Sequence, residues 1–176
     1  MAYTVTGTGK IAREKLVAYL KTGETGSNPT TPVWSVLGKR VQSSDYSMDW
    51  QEESVKDILG NTENSVKKPI ISQEFEAPLD AAETAMTKIW ELSVRDQNAQ
   101  SLSAQTVLIV HAYTTDGETN PKYFAEQYDG CVIEAQTLGG EGGGDLVFNT
   151  KITLGGNRVT GGATITSGVP TFTPDA

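Results

Sequence analysis

Apolar and polar residues alternate over two segments near the middle of the chain, residues 45–51 and 71–76. In the first, Tyr46, Met48 and Trp50 share one face, and Asp45, Ser47, Asp49 and Gln51 share the other. In the second, Ile71, Gln73 and Phe75 oppose Ser72, Glu74 and Glu76. A period of two with this split predicts half-buried antiparallel strands. Together they read as a long β-hairpin with one wet, acidic face. The connection at 52–65 far exceeds the ~2–5 residues of an ordinary hairpin loop. It carries Ile58 and Leu59, which an isolated loop has no reason to expose, so it is expected to reach out and dock on something.

The rest of the chain has the same β-rich rhythm. Residues 1–14 are small, polar and punctuated by glycine, and read as an extended arm. Residues 15–21 (KLVAYLK) fit a strand or the end of a short helix; the turn-rich segment that follows favours a strand. Residues 32–37 (PVWSVL) make a short apolar strand. Residues 78–97 predict the single helix, with Asp80 and Glu83 in capping-box spacing and Ala82, Met86, Ile89, Trp90 and Ser93 on one face. Residues 98–104 read as a polar connector. Residues 106–113 (TVLIVHAY) are apolar on both faces, as in a central strand. Residues 122–138 read as one long strand or two, interrupted at Asp129-Gly130. A flexible GGEGGG link leads to a strand at 145–154, with Leu146, Phe148, Ile152 and Leu154 facing in and Val147, Asn149, Lys151 and Thr153 facing out. Gly155, Gly156 and Asn157 read as a turn, residues 158–166 as a glycine-rich edge strand, and residues 167–176 as a tail that lies along a surface or extends. The fold class expected is mainly β, two antiparallel sheets packed as a sandwich or partial barrel and flanked by one helix, in a single domain over residues 1–176.

Charge and chemistry narrow the function. The chain has 22 acidic and 14 basic residues and a net charge of −8, which argues against a surface built to neutralise phosphates. It allows a surface that a polyanion slides past. A single cysteine, Cys131, precludes an intrachain disulfide framework. The first residues hold no apolar run of signal-peptide length, and no stretch approaches the ~18 apolar residues of a membrane span. A chain made in the cytoplasm, with no membrane partner, is the expectation. The GTGK at residues 7–10 lacks the remaining phosphate-loop residues, and GGEGGG is not a dinucleotide fingerprint. One histidine, His111, and one cysteine supply neither a nucleophile–base pair nor a metal set, so no catalytic residue, cofactor or metal is expected. The acidic face at Asp45, Asp49, Glu74 and Glu76 has three readings: a solvated surface, a pair of hydrolytic carboxylates such as Asp49 and Glu74, or the wall of a channel.

The ordered run LGKRVQSSDYSMDWQEESVKDILGNTENSVKKPIISQEFE, one helix after APLD, and a closing GGDLVFNTKITLGGNRVTGGATI resemble the major tail tube proteins of long-tailed bacteriophages. These are related in architecture to the inner tubes of contractile tails and of type VI secretion. The resemblance implies a structural subunit of the virion tail, assembled in the host cytoplasm. Six copies would form a ring, the inner sheets of neighbours would merge around a lumen, and rings would stack into a tube for DNA. Asp45, Ser47, Asp49, Gln51, Ser72, Glu74, Glu76, Asn149 and Lys151 become candidates for the lumen, and Ile58 and Leu59 for the contact between rings. The partners implied are further copies of the chain, a tape measure protein, tail terminator and distal tail proteins, and double-stranded DNA that passes without specific binding. The alternative is a β-sandwich binding module for carbohydrate or a surface receptor. That reading needs an aromatic platform, whereas Trp34, Trp50 and Trp90 are all expected on core faces.

Overall fold

The longest strand of the molecule belongs to two sheets at once. The computed structural model describes residues 2–27, 30–41 and 43–175. Its strands are β1 (Thr4–Val5), β2 (Leu16–Thr25), β3 (Thr31–Leu37), β4 (Tyr46–Asp49), β5 (Glu52–Lys56), β6 (Thr62–Val66), β7 (Ile70–Pro78), β8 (Gln105–His111), β9 (Thr114–Thr115), β10 (Tyr123–Gly139), β11 (Val147–Leu154), β12 (Arg158–Thr166) and β13 (Val169–Pro174). Two short helices, α1 (Thr84–Trp90) and α2 (Ala99–Leu102), lie between β7 and β8.

The first half of β10 pairs with β8 and β12, and the second half with β11. The first sheet therefore runs β3-β2-β8-β10-β12-β13, and the second β10-β11-β7-β4. All of these pairings are antiparallel. The ladder of β10 with β12 continues onto β11 across a crease. There Gly130 and Gly156 both take left-handed backbone angles, φ 72° and 69°. A Cβ on Gly156 would sit 1.9 Å from the Asp129 carbonyl oxygen, so only glycine fits. The crease turns the second sheet over the first.

Two apolar clusters result. Between the sheets lie Leu20, Leu37, Val107 and Ile109 from the first sheet, and Phe75, Phe148, Ile152 and Leu154 from the second, with Ala85, Met86 and Ile89 of α1. On the other face of the first sheet, which curls so that β13 approaches β3, lie Tyr19, Trp34, Leu108, Val110, Ala125 and Ala163. β8 feeds both clusters, which explains its unbroken apolar run.

The expected fold class, sheet pairing of 45–51 with 71–76, the central β8 and the long interrupted strand all agree with this architecture. Several details differ. The helix is shorter than residues 78–97: α1 starts at Thr84, passes into a π-helical turn at Glu91–Arg95, and α2 occupies the supposed connector. Asp80 does not cap α1. Its carboxylate accepts from the Ala82 amide at 2.9 Å and shapes the turn before the helix. Ala82 is exposed, while Trp90 is half-buried against the inter-sheet core. The 52–65 connection is a second hairpin, β5–β6, paired only with itself among the described residues. Leu146 precedes its strand and is exposed. β12 is no edge, because the tail returns as β13 through a tight turn at Ser167 and Gly168, both at positive φ. The N-terminal arm is tied down at β1, which pairs with β9.

Glu83 sits beneath the start of α1, 5% exposed, with neither carboxylate oxygen hydrogen-bonded. Burial pushes its carboxyl up, against the opposing pull of Lys39 and Arg40. A raised folded value penalises folding at neutral pH, and the penalty disappears as pH falls through that value. Glu83→Gln should therefore raise the urea midpoint at pH 7 and leave it unchanged near pH 4. Gly156→Ala should cost about 3 kcal/mol or more by the same measurement, from the backbone clash and the left-handed angle. Gly142→Ala, which meets nothing within 4 Å, should be close to neutral.

Candidate functional site

The outer face of the second sheet is ordered by its register. Asp45 faces Glu74, whose amide donates to the Asp45 carbonyl oxygen at 3.3 Å. Glu74 lies opposite Lys151, and Lys151 opposite Glu134. Four charged side chains thus form one cross-strand row. Next to it run Ser47, Ser72, Thr153 and Val132. Glu76 faces Asn149 on one side of these rows, and Asp49 faces Ile70 on the other. The structure therefore brings Asp45, Ser47, Asp49, Ser72, Glu74, Glu76, Asn149 and Lys151 onto one wet face. Gln51 lies beyond the end of β4 and, among the described residues, has no partner in this sheet; the chain kinks there at φ 34° before β5. Lys151 does not break the acidic character of the face: its ammonium is 3.5 Å from Glu74, and Glu134 flanks it on the other side.

The register also tests the hydrolytic pairing. Asp49 stands opposite Ile70, four residues along β7 from Glu74, which is about 13 Å at the usual strand rise. Glycosidase carboxylates stand no more than ~9.5 Å apart. Asp49 and Glu74 are not such a pair.

Both borders of this sheet are unpaired among the described residues. β4 has a neighbour on one side only, and β10 beyond Cys131 is paired with β11 alone. Open edges of this kind are templates for another strand.

The β5–β6 hairpin projects from the same sheet. Every residue from Trp50 to Lys68 is exposed, and its apolar residues Ile58 and Leu59 stand out at 103% and 80%. Its turn is nonetheless fixed. The Asp57 carboxylate accepts from the Leu59 amide at 2.9 Å, the Asn61 amide at 2.8 Å and the Asn61 side chain at 2.8 Å. The hydrogen bonds from Asn61 hold the Asp57 carboxyl below its ordinary range.

At the root of that hairpin, where the two sheets part, lies a cleft of about 870 Å³. One wall is apolar, with Met48, Trp50, Pro69, Ile71 and Leu154. The other holds a buried carboxylate, Glu126. It accepts from His111 Nε2 at 2.8 Å, Arg158 Nε at 2.6 Å and the Tyr128 hydroxyl at 3.2 Å, and Arg158 Nη2 also meets it. His111 Nδ1 lies 2.7 Å from the Tyr113 hydroxyl. Burial alone raises the Glu126 carboxyl, but the hydrogen bonds and charges of His111 and Arg158 outweigh it, and the net shift is downward. His111 is thus the anchor of a polar network and does not meet Cys131, whose buried thiol donates to the Tyr128 carbonyl. Trp50 and Met48 were expected on a core face. Met48 lies in β4 and Trp50 just beyond its end; both line the cleft and are 54% and 50% exposed. Glu126 and Arg158 carry no local signal in the sequence. They are 32 residues apart and meet only through the β10–β12 ladder.

No protein-family model matches the chain, and neither does any curated protein. Among solved structures, a chain from the PVC sheath/tube terminator of an extracellular contractile injection system in its extended state is similar over 88% of this chain and 99% of its own, at 9% identity and a TM-score of 0.51. A chain from the PVC sheath–tube complex aligns over 87% and 92% at 9% identity and a TM-score of 0.49. A chain from the cap that terminates the tube of the anti-feeding prophage aligns over 91% and 96% at 10% identity and a TM-score of 0.49. The likeness to the terminator chain is one of fold.

The Glu126 network makes acid sensitivity measurable. A depressed folded value contributes stability above the ordinary 4.5, and that stability is lost as pH falls through the folded value. Glu126→Gln should remove this part of the acid limb of a urea-midpoint profile. It should cost about 2 kcal/mol at pH 7, less than a fully buried pair because Arg158 is half in water.

Proposed function

We propose that the chain is a structural subunit of a tail-type tube. Copies join edge to edge through the second sheet, β4 of one beside the second half of β10 of the next. The acidic outer face of that sheet then lines a lumen. Six copies per ring, and stacking of rings into a hollow tube for DNA, are what the resemblance in sequence implies. The fold likeness to a terminator chain of an injection system supports a tube, and widens the reading from long-tailed phages to tail-type machines in general. On this reading the molecule works in a virion or virion-like tail, beside a tape measure protein, a terminator and distal tail proteins.

The observation that carries the proposal is the pairing of two features on one sheet: borders that are unpaired on both sides among the described residues, and a wet face whose carboxylates stand in rows. The two borders are different strands, so a joint between them is head-to-tail, and head-to-tail joints make rings when the rotation closes. Joining also covers edges that a free protein must otherwise protect. A wall of carboxylates repels a polyanion at short range and keeps it from adhering. Of the catalytic alternatives, the Asp49–Glu74 pair is lost to its separation along β7. A binding-module reading gains Trp50 as an exposed aromatic, but a single tryptophan at a hairpin root is not a platform for a sugar.

Negative-stain images of the concentrated protein should show rings or tubes, and a strictly monomeric species by sedimentation at high concentration overturns the proposal. Cysteines paired across the borders, Ser47 or Asp49 with Val132 or Glu134, should give disulfide ladders ending at the ring number. Ile58→Asp or Leu59→Asp should leave rings intact but raise the concentration needed for stacking roughly tenfold or more, the loss of ~1.4 kcal/mol or more per contact.

A further inference from the structure

The tip of the β5–β6 hairpin and the cleft at its root are complementary in shape class and in charge. At the tip, Ile58 and Leu59 stand out beside the Asp57 carboxylate, which the turn's own donors hold in place. A tip fixed before docking loses little conformational freedom on docking. In the cleft, Met48 and Trp50 form an uncovered apolar wall. Opposite them stands Arg158, which commits Nε and Nη2 to Glu126 and keeps a side chain 51% exposed. Lys68 adds a second positive charge at the cleft. The buried Glu126 is already satisfied by His111, Tyr128 and Arg158, so the cleft is preformed.

A chain cannot fill its own cleft this way. The hairpin is rooted at Trp50 and Pro69, which are themselves cleft walls. Its strands of five residues each carry the tip about 17 Å away at the usual strand rise. The hairpin is a paired ribbon with its own ladder, and does not bend back on its root. We propose that the Ile58–Leu59 tip of one copy docks into the Met48–Trp50 cleft of a second copy, with Asp57 facing Arg158. Tip and cleft are different surfaces of one chain, so the contact is head-to-tail, and it builds an open stack where its rotation does not close. This rests on the tube reading above, for which it names the receptor of the hairpin.

Two double variants test it by mixing: Ile58→Asp/Leu59→Asp spoils the tip, and Met48→Asp/Trp50→Asp spoils the cleft. Each alone should give rings that do not stack. Mixed one to one, they retain one good tip and one good cleft between them, and should give paired rings and nothing longer. In parallel, Leu59→Cys and Asn157→Cys proteins should form a disulfide-linked dimer only when combined. Cys131 will not compete, being buried with a thiol pushed up to about 11. Cleft-variant rings that stack like the wild type overturn the docking while leaving the tube reading intact, as does stacking without the 59–157 cross-link. Absence of rings from the wild-type protein overturns both. Should the cleft variant fail to fold by circular dichroism, the cross-link decides.

Discussion

The fold depends on a crease. One ribbon, β10 with its collinear partners β11 and β12, runs through both sheets and bends where Gly130 and Gly156 meet. A side chain at Gly156 would collide with the Asp129 carbonyl, so the ribbon folds there because a Cβ is missing. Bending brings Ile133 and Ile152 of one sheet over Val107 and Tyr128 of the other and creates the inter-sheet core. It also parts β10 from β8, which ends opposite Cys131. From that point the strand has an open border. The core and the open border are two results of the same bend.

The ends of the sandwich are treated differently. At one end α1 inserts Met86 and Ile89 as a plug, fully buried. The other end is held open by a polar cluster centred on Glu126. Charges out of water are costly unless each has donors to spare. Glu126 has His111, Tyr128 and Arg158, drawn from β8, β10 and β12. Three adjacent strands are thereby fixed to one another at the mouth. Glu83 at the plugged end has no such compensation, which is the opposite arrangement of the same side-chain type.

The sequence exposed the architecture wherever burial imposes a period. The alternation through Gln73, Phe75 and Ala77, and again through Phe148, Ile152 and Leu154, gives the strand and its inward side, because a half-buried sheet permits no other pattern. The acidic face was legible for the same reason. Periodicity assigns a side, however, and not a cover. Met48 and Trp50 line a cleft, so their exposure lies outside what alternation can say. The β5–β6 hairpin is polar on both faces, carries no moment, and looked like a loop. The helix start was misplaced because Asp80 satisfies a turn as readily as it caps a helix. β12 reads as an edge in the sequence because its partner, β13, hides in a tail whose two prolines argue against a strand.

A final consequence follows from counting strands. Among the described residues the second sheet has four, all antiparallel, so its border strands run in opposite directions. When copies related by rotation about a common axis are set border to border, β10 of one meets β4 of its neighbour head to toe. Parity is conserved at every joint, whatever the number of copies. A closed cylinder of such panels contains no parallel seam, and its hydrogen-bonding pattern has no point at which the first subsequent joint differs from the last.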